Sequence, residues 1–267
     1  MRAPLFLISL ALSSAACSDA AQYSEKTGVD PTAVTSTPSD NAVAEPRAIE
    51  EETERYIFSY SWPAAVSSEQ GLVAVLEADA ESVRKTLAAD ADRQFESFDL
   101  EEFTPRQISE AKEWKVVADI PRYLSLSGHL ASYSGGAHGM YGVQSMIWDR
   151  KTESAMEGKA LFASEMRLET ALDAKLCRKL NAVREARRGF AIDPSSTDTF
   201  DTCPGLDEAT VLVGSSDGQT FDRLAIYFGP YVAGPYAEGA YELDFPVDAA
   251  VIDAVKPEYA SAFSIKR

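Results

Sequence analysis

The feature that most limits how this chain can fold is a pair of two-residue alternations flanking the turn Ser134-Gly135-Gly136-Ala137-His138-Gly139. Upstream, Leu124, Leu126 and Leu130 alternate with Tyr123, Ser125, Ser127 and His129. Downstream, Tyr141, Val143, Ser145 and Ile147 alternate with Gly142, Gln144, Met146 and Trp148. A period of two puts successive side chains on opposite faces of a pleated strand, so these runs read as partner strands closed by the turn. From Lys115 to Ser134 the pattern fits either a strand pair or one long bent strand.

The remaining elements fall on both sides of this hairpin. Tyr56 to Trp62 reads as a short strand stopped by Pro63. Leu72, Val75, Leu76, Ala80, Val83 and Leu87 recur at helical spacing, with Glu77, Asp79, Arg84 and Lys85 between them. A second helix is expected from about Glu165 to Arg188, with Leu168, Leu172, Leu176, Leu180 and Val183 as its stripe. Arg178, Lys179, Arg184, Arg187 and Arg188 form its basic face. Strands follow at Ala209–Val213 and Phe221–Phe228, joined through Ser215-Ser216-Asp217-Gly218, where Asp-Gly is a hairpin signal. A third strand runs from Tyr241 to Phe245, and Val247 to Val255 reads as a short helix. The expected class is α+β, a mainly antiparallel sheet with two principal helices packed on it.

The first residues read as an address. Met1-Arg2, an apolar run from Leu5 to Leu12 and the small residues Ser13 to Ala16 end at Cys17. An apolar core this short cannot span a bilayer, which needs about 20 residues, so residues 1–17 read as a signal peptide. The approach to Cys17 resembles a lipobox, with Ser14 where Leu is usual, in which the cysteine becomes an acylated N-terminus. The competing reading is ordinary cleavage at a small-x-small site. Acyl chains at about 0.8 kcal/mol per buried CH₂ would tether the protein to a membrane surface without a spanning helix. Residues 18–50 are rich in Pro, Thr, Ser, Ala and Asp with few large apolar side chains, which predicts a disordered spacer. Order is expected from near Tyr56, leaving roughly 215 residues for one large domain or two small packed ones.

Charge and cysteines narrow the function classes. With 42 Asp+Glu against 25 Lys+Arg, the net charge is −17, which repels phosphate backbones and argues against nucleic acid as a partner. The same charge suits a basic partner or simple solubility. If Cys17 carries lipid, Cys177 and Cys203 remain as an even pair in an oxidising compartment, which predicts a disulfide. Its loop of about 26 residues would contribute on the order of 3 kcal/mol. His129 and His138 are the only histidines, and two cysteines without a nearby histidine make no four-ligand zinc site. No Walker loop or dinucleotide fingerprint is present, so no metal and no cofactor are expected.

Two segments carry a family resemblance. The strand entering Ser134-Gly135-Gly136-Ala137-His138-Gly139 is similar to a Thr/Ser-Gly-Gly-Ala-His-Gly turn of bacterial exported domains, with Ser134 where Thr is usual. Tyr231-Val232-Ala233-Gly234-Pro235-Tyr236-Ala237-Glu238-Gly239 is similar to that family's Tyr-x-x-x-Pro-Tyr-Ala-x-Gly segment, and Tyr60-Ser61-Trp62-Pro63 fits the start of a companion module. The chain from Tyr56 onward thus resembles the paired domain-of-unknown-function families 4163 and 3298 of RsiV-like anti-sigma factors and PdaC-like deacetylases. The resemblance implies a 4163-type module over residues 51–135 and a 3298-type module over residues 136–267. It also implies a sensor or binding role, because the pair is a lysozyme receptor in the former and a non-catalytic companion in the latter.

The candidate ligand-binding residues are therefore Ser134, Gly135, Gly136, His138, Gly139, Tyr231, Pro235 and Tyr236. The glycines permit positive φ and close backbone approach, and His138 either locks the turn onto a carbonyl or meets a ligand. The tyrosines either cover a core edge or anchor a sugar or a protein. Ser134 and His138 lie close in sequence but no nucleophile elbow surrounds them, so no catalytic residue is assigned. The expected function is a non-catalytic envelope lipoprotein on the periplasmic face of a bacterial membrane. It would bind a cell-wall glycan or a basic wall-degrading protein such as lysozyme, as sensor, inhibitor or attachment module. The alternative is a glycan-modifying envelope enzyme using His138 as acid or base, and a third reading gives the turn a purely structural role.

Overall fold

In the computed structural model, which describes residues 44–97 and 106–265, the alternating segments lie at the centre of a six-stranded sheet. Its strands are β1 (Arg47–Glu52), β2 (Tyr56–Trp62), β3 (Ile108–Asp119), β4 (Tyr123–Tyr133), β5 (Met140–Asp149) and β6 (Ser154–Met156), in spatial order β1-β2-β3-β4-β5-β6. Every neighbouring pair is antiparallel except β2 and β3. That parallel pair needs a long crossover, which contains α1 (Ala64–Ser67) and the 28-residue α2 (Gln70–Ser97). Of the two readings for the region from Lys115, the strand pair is the one observed, with a bulge between Val116 and Ala118.

A second sheet of three antiparallel strands, β7 (Ala209–Gly214), β8 (Arg223–Phe228) and β9 (Tyr241–Pro246), follows α3 (Glu165–Leu172) and α4 (Ala174–Arg188) and precedes α5 (Ala249–Ala254). The class is α+β with mainly antiparallel pairing, as expected. Residues from Ala44 onward form one compact unit. The expected module boundary at 135/136 falls in the turn between β4 and β5, so residues on both sides of it share one sheet. Among the described residues no helix is long and apolar enough to cross a membrane. Residues 1–43, with the expected leader, Cys17 and most of the expected spacer, lie outside the described residues.

Two cores lie on opposite faces of the large sheet. α2 sets Leu72, Leu76, Ala80, Leu87 and Ala91 against Phe58, Tyr60, Trp62, Trp114, Leu124, Leu126 and Trp148. The second core joins Tyr123 and Ile147 to the small sheet and to Leu168, Leu172, Leu176 and Leu180 of the paired helices. Burying a large apolar side chain contributes about 1.5–3 kcal/mol, so these two clusters hold the layers together.

Three expectations are corrected. Residues 47–50, placed in the spacer by composition, begin β1, which runs Arg47↔Trp62 to Glu52↔Ile57 along β2. This is a charged edge strand held by backbone pairing and by Glu51–Arg84 and Arg47–Glu77 ion pairs to α2, so it shows little apolar signal. The single helix expected over 165–188 is two helices, because Asp173 takes φ 45° and ψ −148°. Its N–H closes α3 on the Glu169 carbonyl at 2.7 Å, and its own carbonyl then accepts from Leu176 at 3.3 Å. Arg184, placed on the basic face of that helix, is fully buried.

Candidate functional site

The hairpin turn after β4 is shaped by close backbone approach. A Cβ on Gly139 would lie 2.7 Å from the Ser132 carbonyl oxygen, and Gly135 has φ +87°. Gly136 meets no such limit, with nothing within 4 Å of its Cβ position. Tyr133 Oη donates to the Gly136 carbonyl at 2.9 Å, and Arg106 donates to that hydroxyl at 3.1 Å. Ser134 is exposed, and among the described residues its hydroxyl makes no hydrogen bond.

His138 is exposed but tied on both ring nitrogens. Its Nδ1 donates to the Gly139 carbonyl at 2.9 Å. Tyr231 Oη stands 3.4 Å from the His138 Nε2. The Gly139 carbonyl also accepts from Tyr236 Oη at 2.8 Å, so a single oxygen joins the two loops that the sequence singled out.

The second loop follows β8. Tyr231 takes φ +69°, and Pro235 leads into a single turn over Tyr236–Glu238. Three arginines of α4 hold this loop. Arg184 Nε donates to the Ala233 carbonyl at 2.9 Å, Arg187 to the Glu238 and Ala240 carbonyls at 2.6 and 2.9 Å, and Arg188 to both Glu238 carboxylate oxygens at 2.9 and 3.0 Å. Burial opposes ionisation of Glu238, yet its bonds from Arg188 and Tyr241 hold it below the usual carboxylate range. Arg184 is pushed down from its ordinary value by burial and then by the Arg188 charge.

The same arginines grip the segment before Cys203. Arg184 donates to the Asp201 and Thr202 carbonyls at 3.0 and 2.9 Å, and Arg188 to the Asp201 carboxylate at 2.6 Å. The Cys177–Cys203 disulfide is present, with its Cα atoms 5.6 Å apart, and it folds residues 192–203 back onto α4.

Together the loops form an aromatic ledge. The His138 and Tyr236 rings stack with centroids 4.0 Å apart, Tyr231 lies 5.6 Å from Tyr236, and Tyr141 meets Tyr236 edge-on at 6.1 Å. Tyr231 remains 49% exposed and Tyr141 40%. Of the residues predicted from sequence, His138, Gly139, Tyr231 and Tyr236 meet directly, Gly135 and Pro235 shape the loops, Gly136 contributes only its carbonyl, and Ser134 stands apart. Tyr141 was missed as a site residue, although its position in the β5 alternation, two residues past Gly139, already puts it beside the turn. Arg184, Arg187 and Arg188 were missed as supports because a basic stripe on a helix gives no sign of what it faces.

No model of a known protein family matches the chain, and no curated protein does. Among solved structures it resembles a DUF3298 family protein from Pseudomonas aeruginosa PAO1 at 19% identity and a TM-score of 0.47, over 84% of this chain and 98% of that one. It also resembles a member of the DUF3298 family from Bacteroides fragilis NCTC 9343 at 14% identity and a TM-score of 0.39, over 76% of this chain and 90% of that one.

Proposed function

We propose that this protein is a non-catalytic binding protein of the bacterial cell envelope, exported by residues 1–17 and tethered through lipid on Cys17, whose ledge of His138, Tyr141, Tyr231 and Tyr236 grips cell-wall glycan. The observation that carries this reading is the ledge itself. Its polar edges bond within the protein while the Tyr231 and Tyr141 rings keep open surface. A pyranose ring presents a face of C–H groups that packs on the negative face of such rings. An acid–base role for His138 has less support, because both ring nitrogens are engaged within the site and Ser134 is not among their partners.

The net charge of −17 favours a second reading, a cationic wall-degrading protein such as lysozyme bound by electrostatic steering. Isothermal titration of the purified protein against soluble peptidoglycan fragments, and separately against a c-type lysozyme at two salt concentrations, decides between them. Glycan binding weakened by Tyr231→Ala supports the ledge. Binding to lysozyme alone, weaker at high salt, replaces glycan with a basic protein.

A further inference from the structure

Residues 189–205, between α4 and β7, contain no helix or strand, and most of their hydrogen bonds are local. Asp193 accepts from Ser195, Asp201 from the Ser196 hydroxyl and Asp198 from the Phe200 N–H, contacts that shape turns without tying them to either sheet. Among the described residues, the segment's hydrogen bonds to the rest of the protein all run to α4. Glu185 accepts from the Ile192 N–H, and Arg184 and Arg188 donate to residues 200–202. A segment held at so few points opens at lower cost than the cores.

Those two arginines face both ways. Arg184 reaches the Ala233 carbonyl of the ledge loop on one side and the Asp201 and Thr202 carbonyls on the other. Arg188 divides itself between the Glu238 carboxylate and, at 2.6 and 3.1 Å, the Asp201 carboxylate and the Phe200 carbonyl. A guanidinium presents its N–H groups in one rigid plane, so a single side chain fixes two loops relative to each other. Arg184 is fully buried, and loss of the Asp201 and Thr202 carbonyls would leave its N–H groups unpaired away from water. The side chain escapes that cost by moving, and its bond to Ala233 goes with it.

The disulfide fixes the far side of these clasps. Cys203 is the residue after Thr202, and Cys177 and Arg184 lie about two helical turns apart on one face of α4. The bridge, across 26 positions, closes a ring that contains Arg184, Arg188 and their acceptors at 200–202. Neither cysteine belongs to either core; Cys203 is exposed and Cys177 is half-buried. A disulfide open to solvent is of the labile kind that exchanges with thiols.

We infer that Cys177–Cys203 is a redox latch on the ledge: its reduction frees residues 192–203 from α4 and, through Arg184 and Arg188, loosens the loop 231–239 that carries Tyr231 and Tyr236. The reductant is a dithiol. One of its thiolates attacks Cys203 Sγ, the S–S bond breaks and Cys177 leaves as a thiolate; the second thiol then displaces Cys203 and closes the dithiol's own disulfide. Two electrons and two protons pass from the dithiol to the two cysteines. The oxidised protein holds a formed ledge, and the reduced protein keeps both cores and loses the ledge's shape.

The test is hydrogen exchange read by mass spectrometry on the intact protein, oxidised, reduced with dithiothreitol, and as the Cys177→Ser, Cys203→Ser double variant. In both unbridged forms exchange should rise by about tenfold or more over 192–203 and over 231–239, while β2 and β4 keep their protection. Faster exchange over 192–203 with 231–239 unchanged overturns the latch. So does faster exchange in β2 and β4 as well, which makes the bridge a support of the whole fold, and so does no change anywhere. This readout needs no ligand. The consequence for binding rests on the glycan reading: peptidoglycan fragments that bind the oxidised protein should bind the reduced one about tenfold more weakly. Fragments that bind neither form overturn the glycan reading and leave the exchange result to decide the latch.

Discussion

The Tyr231 hydroxyl and the Nε2 of His138 stand 3.4 Å apart although 93 positions of sequence separate the two residues. The contact joins a hairpin turn of the large sheet to a loop of the small one, so the site exists only when both sheets are docked.

His138→Ala removes the hydrogen bond to the Gly139 carbonyl and the stack on Tyr236. We expect a loss of about 1–3 kcal/mol, from about 0.5–1.5 for each interaction. A lowered thermal midpoint together with weaker glycan binding checks it. Unchanged stability with lost binding would make His138 a direct contact and nothing more.

Gly136 and Gly139, three positions apart in one turn, should respond oppositely to a methyl group. Gly139→Ala drives a methyl to 2.7 Å from a backbone oxygen and should destabilise by about 1–3 kcal/mol. Gly136→Ala meets open space and should stay within about 0.5 kcal/mol. Urea unfolding of the pair, with the slope of the transition held constant, reads the difference.

Arg184 is buried against three backbone carbonyls, those of Ala233, Asp201 and Thr202. Arg184→Ala leaves all three without this partner and should destabilise by about 3–5 kcal/mol. Near-ultraviolet circular dichroism should show the tyrosine environment loosening at lower denaturant than in wild type.

Reduction of Cys177–Cys203 should lower stability by about 3 kcal/mol through the freed 26-residue loop. Denaturant midpoints with and without reductant measure this, and Cys177→Ser with Cys203→Ser should reproduce the reduced protein.

The Arg122 guanidinium, bonded to both Asp149 oxygens at 3.0 and 2.6 Å, holds that carboxyl below its usual range against the opposing effect of burial. A carboxyl lowered in the folded state stabilises above its unfolded value of about 3.9, and the contribution disappears as pH falls through the folded value. Stability from this group should therefore be flat at neutral pH and decline below about pH 4. Asp149→Asn should be less stable at pH 7 and show a shallower decline in acid.

The β4–β5 hairpin and the α2 stripe were legible because one buried face imposes a period on the sequence. β1 was not, since an edge strand with three glutamates is held by main-chain pairing. Nor was the break at Asp173, where the leucine spacing runs on through a residue of positive φ. Both loops of the ledge stood out by their Gly, Pro and Tyr content, but their meeting depends on how the sheets dock. The buried Arg184 behind them read as one more residue of a basic helix face, because periodicity reports which side chains share a face and not what covers it.

The register of β4 against β5, Ala131↔Tyr141 and His129↔Val143, has a consequence for inherited variation. Loss of one codon within β5 would exchange the faces of its residues, sending Tyr141 and Val143 toward α2 and bringing Gly142 and Gln144 to the site side. Length changes in this hairpin should therefore survive in homologues mainly at the tip, between Tyr133 and Met140, or in pairs of residues that restore the pleat.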